Sequence, residues 1–287
     1  MRIKVLGLAG LLLFTLACSL SAPNTPPQPG VETGVAATFQ ALTASAPAPT
    51  ALSGIAVSFQ NVSLVIPEGL ASGANSELVP VANETNSDPW SMAPEHILFT
   101  LTNYSGPVGS LDPVVRIYPA QEYIAVNSWA AGSFTRLQAI LANPSGPLTN
   151  DTLPTVPFNG GAAQQYAAKA KLLPFNGGTG VRMISQYAQY PAPITKDGSF
   201  YHYEGLTKDG KYFVAVLLPV TRPLQATADN PSADGISYPA IGTDTPEEFT
   251  AYYQGITDLL NAANPETYQP SLTQLDALVQ SITVNSQ

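Results

Sequence analysis

The residues best placed to do chemistry are His202 and Glu204. They sit two apart in the alternating run Phe200–Leu206, and on a strand that spacing puts both side chains on one sheet face. An imidazole beside a carboxylate is a general base with its orienter, or half of a metal site. Hairpin register through Thr207-Lys-Asp-Gly210 decides what faces them. A two-residue Asp209-Gly210 turn places Glu204 against Ala215 and His202 against Leu217. A three-residue loop with a glycine bulge places them against Val214 and Val216. Neither register supplies a second histidine or acid, and a metal site needs three or more ligands, so no metal is expected. The plainer reading is a structural or surface His–Glu pair. Tyr201 and Tyr203 take the opposite face, with Tyr212 across the turn. If that face is exposed it is a ring platform for a sugar or peptide. If not, the tyrosines belong to the core, where strands favour them.

Other catalytic schemes find less support. His96 follows Glu95 directly, so a strand would turn the two to opposite sides. The chain contains no G-x-S-x-G, S-x-x-K or H-E-x-x-H pattern. Paired carboxylates, as in glycosidases, need no histidine, but nothing selects a pair from the 20 acids. The Asp229–Gly235 loop does not match the spacing of an EF-hand. No cofactor is implied.

Several elements must position these groups. Ile55, Val57 and Phe59 alternate, then Val62, Leu64 and Ile66 in the opposite parity, which predicts two strands around a turn at Asn61. Residues 68–95 read as loop, with a short strand at Leu78–Ala82. Strands follow at Ile97–Asn103 and Val114–Tyr118. Phe134, Leu137, Ile140 and Leu141 share a helical face, with Ser133 as cap and Pro144 beyond the end. Gln164–Leu173 reads as a second helix between two copies of Pro-Phe-Asn-Gly-Gly, at 157–161 and 174–178. Val181–Tyr190, Phe200–Leu206 and Lys211–Val220 predict an antiparallel meander. Thr245-Pro-Glu-Glu248 is a capping box opening an amphipathic helix, and Ser271-Leu-Thr-Gln274 a second box opening another. Segregated strands and helices with short hairpins predict an α+β fold: a mainly antiparallel sheet with helices packed on it, two of them C-terminal, as a single globular domain over 54–287. The Val-Ile-Pro-Glu-Gly entry at 65–69 and the closing helix resemble the ends of PsbP-type α/β/α sandwiches, a likeness that carries no function.

The N-terminus is the most explicit part of the chain. Arg2 and Lys4 precede an uncharged run from Val5 to Ala17, too short to span a bilayer but suited to a signal peptide. Ala17-Cys18 at its end resembles the lipobox of bacterial lipoproteins, with Thr15 where that family most often has Leu. The resemblance implies cleavage after residue 17 and diacylation of the Cys18 thiol. Cys18 is the one cysteine among 287 residues, so an intrachain disulfide is excluded. Residues 19–53 are rich in Pro, Ala, Ser and Thr, with Glu32 their only charge, and read as an extended tether. With 11 basic against 20 acidic residues the net charge is −9, which excludes an electrostatic nucleic-acid binder and leaves acyl chains to hold the protein on its membrane.

Together these features predict three parts: a signal peptide at 1–17, lipidated Cys18 with its tether to residue 53, and the body. The expected role is that of a lipid-anchored extracytoplasmic protein, a binding or envelope-scaffolding module whose partner is an envelope protein or a glycan. The alternative is a secreted hydrolase of carbohydrate or cell-wall material, working through carboxylates or His202 and Glu204.

Overall fold

The computed structural model describes residues 53–285 apart from 86, 108, 110, 158–160 and 243–244; Cys18 and the segments before residue 53 lie outside them. Among the described residues there are ten strands and four helices. The chain opens with the strands β1 (Gly54–Phe59), β2 (Val62–Pro67), β3 (Gly73–Val79), β4 (His96–Thr102) and β5 (Val114–Pro119). Helices α1 (Ala120–Val126) and α2 (Ser128–Ala142) follow, then β6 (Ala163–Phe175), β7 (Gly178–Ala188), β8 (Ser199–Thr207) and β9 (Tyr212–Val220). Helices α3 (Pro246–Ala262) and α4 (Leu272–Ser281) and the short β10 (Thr283–Val284) close the chain.

Seven strands form an antiparallel sheet in the order β3-β4-β5-β9-β8-β7-β6, and β1-β2-β10 form a smaller one. The fold is α+β, with both C-terminal helices on the sheet. Strand parity divides the large sheet into two apolar faces. Phe99, Ile117, Tyr201, Tyr203, Val214 and Val216 pack under α3, α4 and the small sheet. Val181, Met183, Leu206, Phe213 and Ala215 pack under α1 and α2. Because both faces are covered, β9 reads Tyr-Phe-Val-Ala-Val-Leu-Leu-Pro-Val with hardly a polar position.

The meander and its register follow the two-residue-turn expectation: His202 faces Leu217 and Glu204 faces Ala215. Gly210, at φ 69°, closes the turn by donating its N–H to Thr207 O at 2.9 Å. The capping box of α3 is complete, Thr245 Oγ accepting from Glu248 N–H while Glu248 Oε2 accepts from Thr245 N–H. At α4 only half forms. Ser271 Oγ caps Gln274 N–H, but the Gln274 amide reaches instead to Glu68 O at 2.7 Å and ties the helix to the end of β2.

Three expectations need correction. Gln164–Leu173 is not a helix; it lies within β6, the 13-residue edge strand paired along β7. Its Ala, Gln, Lys and Leu are good helix formers, but Tyr166 and Ala168, then Leu173 and Phe175, alternate toward the core on either side of a bulge where Lys169 takes φ 56°. The second Pro-Phe-Asn-Gly-Gly copy is the two-residue Asn176-Gly177 hairpin turn that enforces this pairing. The strand expected at Leu78–Ala82 begins earlier, as β3 at Gly73, in a polar sequence that an edge position tolerates. Ser133 does not cap α2. Asn127 does, accepting from Ala130 N–H at 3.0 Å, and Ser133 lies inside the helix, facing the sheet.

Candidate functional site

His202 and Glu204 do share a sheet face, and that face is closed. They are 1% and 0% exposed beneath α2. His202 Nε2–H donates to Glu204 Oε1 at 2.8 Å, and Ser133 Oγ–H donates to Glu204 Oε2. The order is therefore Ser–carboxylate–His. A Ser-His-acid triad needs the imidazole between the hydroxyl and the acid, so that it can take the hydroxyl proton. Here the carboxylate separates the two, and both Ser133 and Glu204 are buried out of reach of a substrate. His202 Nδ1 is buried with no hydrogen-bond partner among the described residues. A carboxylate removed from water is costly unless donors replace its hydration, and Ser133 and His202 are those donors.

The platform expected of Tyr201 and Tyr203 depends on exposure, and both rings are buried. Tyr201 OH donates to Asp276 Oδ1 at 2.9 Å and Tyr203 OH to Leu173 O at 3.1 Å. Burial pushes both phenols well above their ordinary pKa, so they stay neutral donors. Asp276, on the inner face of α4, also receives Arg182 Nε at 3.0 Å and Lys171 Nζ at 2.7 Å. This face is the seat of α4 rather than a ligand surface. Tyr212, half-buried at the start of β9, packs against the same core.

Open space lies elsewhere, on the exposed flank of α2. A cleft of about 440 Å³ is lined by Trp129, Arg136, Asn150, Asp151, Thr155, Gln164 and Tyr187, with Gly161, Ala162 and Ala163 at its rim. Trp129 and Arg136 are seven residues apart, so they share one helix face two turns apart. Between them Gly132 leaves open space where a side chain would stand. Trp129 is 42% exposed. The far wall is fixed by a relay: Val156 N–H to Tyr187 OH at 2.9 Å, Tyr187 OH to Gln164 Oε1 at 2.8 Å, and Gln164 Nε2 to Asn150 Oδ1 at 2.9 Å. Burial raises the Tyr187 pKa, holding its hydroxyl protonated for this role. Arg136 donates one Nη1 bond to Leu153 O at 3.2 Å, and Asp151 takes no hydrogen bond or ion pair among the described residues. A cation and an anion thus face one cleft without meeting.

This cleft and the buried cluster are linked. Thr155 lines the cleft and donates its N–H to Ser133 Oγ at 3.2 Å, so the cleft wall is one hydrogen bond from Ser133 and two from Glu204. The Tyr187 ring stacks on Phe200 with centroids 5.7 Å apart, and Phe200 lies 6.0 Å from His202. His202 and Glu204 therefore buttress the cleft from below. A second, mainly apolar cleft of about 530 Å³ shares Gly161 and Ala163 with the first and is lined by Gln165, Tyr190, Phe249 and Tyr253. Sequence reasoning missed Trp129, Arg136, Asn150, Asp151 and Gln164 because they come from three separate segments. The available signal was Trp129, one of two tryptophans, standing seven residues before an arginine on a helix. In comparison with known proteins, the chain matches no family model, no curated protein and no solved structure.

Proposed function

We propose that the protein is a lipid-anchored extracytoplasmic binding module. In this reading residues 1–17 direct export, acyl chains on Cys18 hold the protein to its membrane, and residues 19–53 carry the body away from the bilayer. The observation that carries the anchor is the position of the chain's only cysteine directly after Ala17, at the end of an uncharged run behind Arg2 and Lys4. Two acyl chains suffice for stable attachment at about 0.8 kcal/mol per buried CH₂, and no described helix is long and apolar enough to cross a membrane. Binding is favoured over hydrolysis by the burial of His202 and Glu204 and by the carboxylate-centred order of their hydrogen bonds. The open clefts present fixed polar groups and rings instead.

The test is metabolic labelling. Cells expressing the full chain are fed radiolabelled palmitate and fractionated. Label on the wild type, in the membrane fraction, and none on Cys18→Ala is the expected result. An unlabelled wild type, or equal label on both, would end the lipid-anchor reading.

A further inference from the structure

We propose that the polar cleft along α2 binds a pyranose ring of a neutral oligosaccharide, an inference that rests on reading the body as a displayed binding module. A pyranose has two chemically distinct surfaces: a patch of C–H groups on its face and a rim of hydroxyls that each donate and accept. The cleft matches both. The half-exposed Trp129 indole supplies an apolar ring with a polar edge. Arg136 and Asp151 supply, within the same cleft, N–H donors and carboxylate acceptors that are not consumed by each other. Adjacent hydroxyls can satisfy both at once, and charge-assisted bonds of this kind are the stronger ones.

Three further observations narrow the class. The Tyr187–Gln164–Asn150 relay fixes the far wall, so the cleft is formed before the ligand arrives and little is lost in ordering it. Its volume of about 440 Å³ lies within the range of small-ligand sites, about 300–1,000 Å³. The arginine and aspartate balance in charge, and the chain as a whole is at −9, which disfavours phosphorylated or uronic-acid ligands. Cleavage of a glycosidic bond takes two carboxylates flanking it. Asp151 is the one carboxylate among the described lining residues, and Glu204 lies sealed below it. The site therefore holds a sugar without cutting it. The adjoining cleft, with Tyr190 at 58% exposure beside Phe249 and Tyr253, gives a longer chain somewhere to continue.

Trp129 reports its own occupancy. The full chain carrying Trp90→Phe, in a non-glycosidic detergent, has Trp129 as its only tryptophan. It is titrated with hexasaccharides of β-1,4-glucose, α-1,4-glucose, β-1,4-xylose and β-1,4-N-acetylglucosamine while emission is followed. We expect a saturable change with at least one of the four, with Asp151→Asn and Arg136→Gln each weakening it about 10-fold or more; Asp151→Asn leaves thermal unfolding unchanged, and Arg136→Gln lowers it only by the loss of its bond to Leu153 O. Flat titrations with all four, or saturation unaffected by both substitutions, would overturn the sugar site and leave the anchored binding module standing on its palmitate label. Release of reducing ends during the titration would instead overturn the non-enzymatic reading as well.

Discussion

Glu204 is a carboxylate kept from water by two donors, and its neighbours depend on it as much as it depends on them. Glu204→Ala leaves Ser133 and His202 facing an emptied space between two apolar clusters. We expect it to lower unfolding free energy by about 2–5 kcal/mol, since two buried donors are left unpaired at about 1–3 kcal/mol each. Glu204→Gln keeps the shape and one acceptor, and should cost about 1–2 kcal/mol; urea unfolding measures both. His96 provides the pH dependence. Burial, the largest influence, lowers its pKa from 6.5, and Arg116 adds to this, while the bond to Pro94 O at 2.9 Å and Glu77 oppose it. The native state therefore favours neutral His96, its ring tilted against Tyr118 with centroids 4.3 Å apart, while the unfolded chain protonates near 6.5. The unfolded state binds more protons in the window below 6.5, so stability is full above that pH and falls as pH drops through it. The slope from this one group is at most about 1.4 kcal/mol per pH unit. Unfolding curves at stepped pH should show the decline in wild type and a shallower one in His96→Phe. The sequence placed His202 and Glu204 on one face and left two registers open, of which the two-residue Asp209-Gly210 turn is the one that forms. Their partner Ser133 was legible only as a helix cap, because hydrophobic periodicity says where a face lies and not what a lone polar residue within it will meet.

At the scale of elements, one residue carries the charged contacts that join α4 to the sheet, beside the helix's apolar face of Leu272, Leu275, Leu278 and Val279. Asp276 gathers Arg182, Lys171 and Tyr201, and Arg182 is itself buried. Asp276→Ala leaves that guanidinium buried without its counter-charge, and a loss of about 3–5 kcal/mol follows. Asp276→Ala together with Arg182→Met should recover part of it, since the stranded charge is then gone. Recovery absent in the double variant would show that packing of α4, not charge, sets the cost. The close pairing of β7 with β8 gives a second test: a Cβ at Gly180 would stand 2.1 Å from Glu204 O, so Gly180→Ala must force the strands apart. Elements whose signals are local were legible: the meander, its Asp-Gly turn, the α3 capping box and the amphipathic C-terminal pair. Strand β6 was not, because its residues favour helix individually and only pairing along the whole of β7 makes them a strand. Helix α1, a seven-residue element seated on the Tyr118–Tyr123 stack at 4.0 Å, gave no periodic signal of its own length.

Across the whole molecule, two sets of ionisable groups stand apart. Glu204, His202, Arg182 and Asp276 are interior and join layers of the fold, whereas Asp151 and Arg136, the latter with one bond to Leu153 O, line a cleft. The sheet covered on both sides was foreseeable from the near-continuous apolar run of β9 and two unpartnered amphipathic helices. The cleft was not, since it exists only once α2, the segment around 150–155 and the first residues of β6 converge. We propose that the interior set serves the fold and the cleft serves binding. This division of roles is tested most directly by thermal unfolding of the full chain, Glu204→Gln and Asp151→Asn, each with and without the four neutral hexasaccharides. The expected pattern is crossed. Glu204→Gln unfolds at lower temperature but keeps the ligand-induced rise, while Asp151→Asn unfolds where the wild type does and loses that rise. A Glu204→Gln protein of unchanged stability that no longer responds to ligand would contradict the account and return the function to the buried pair.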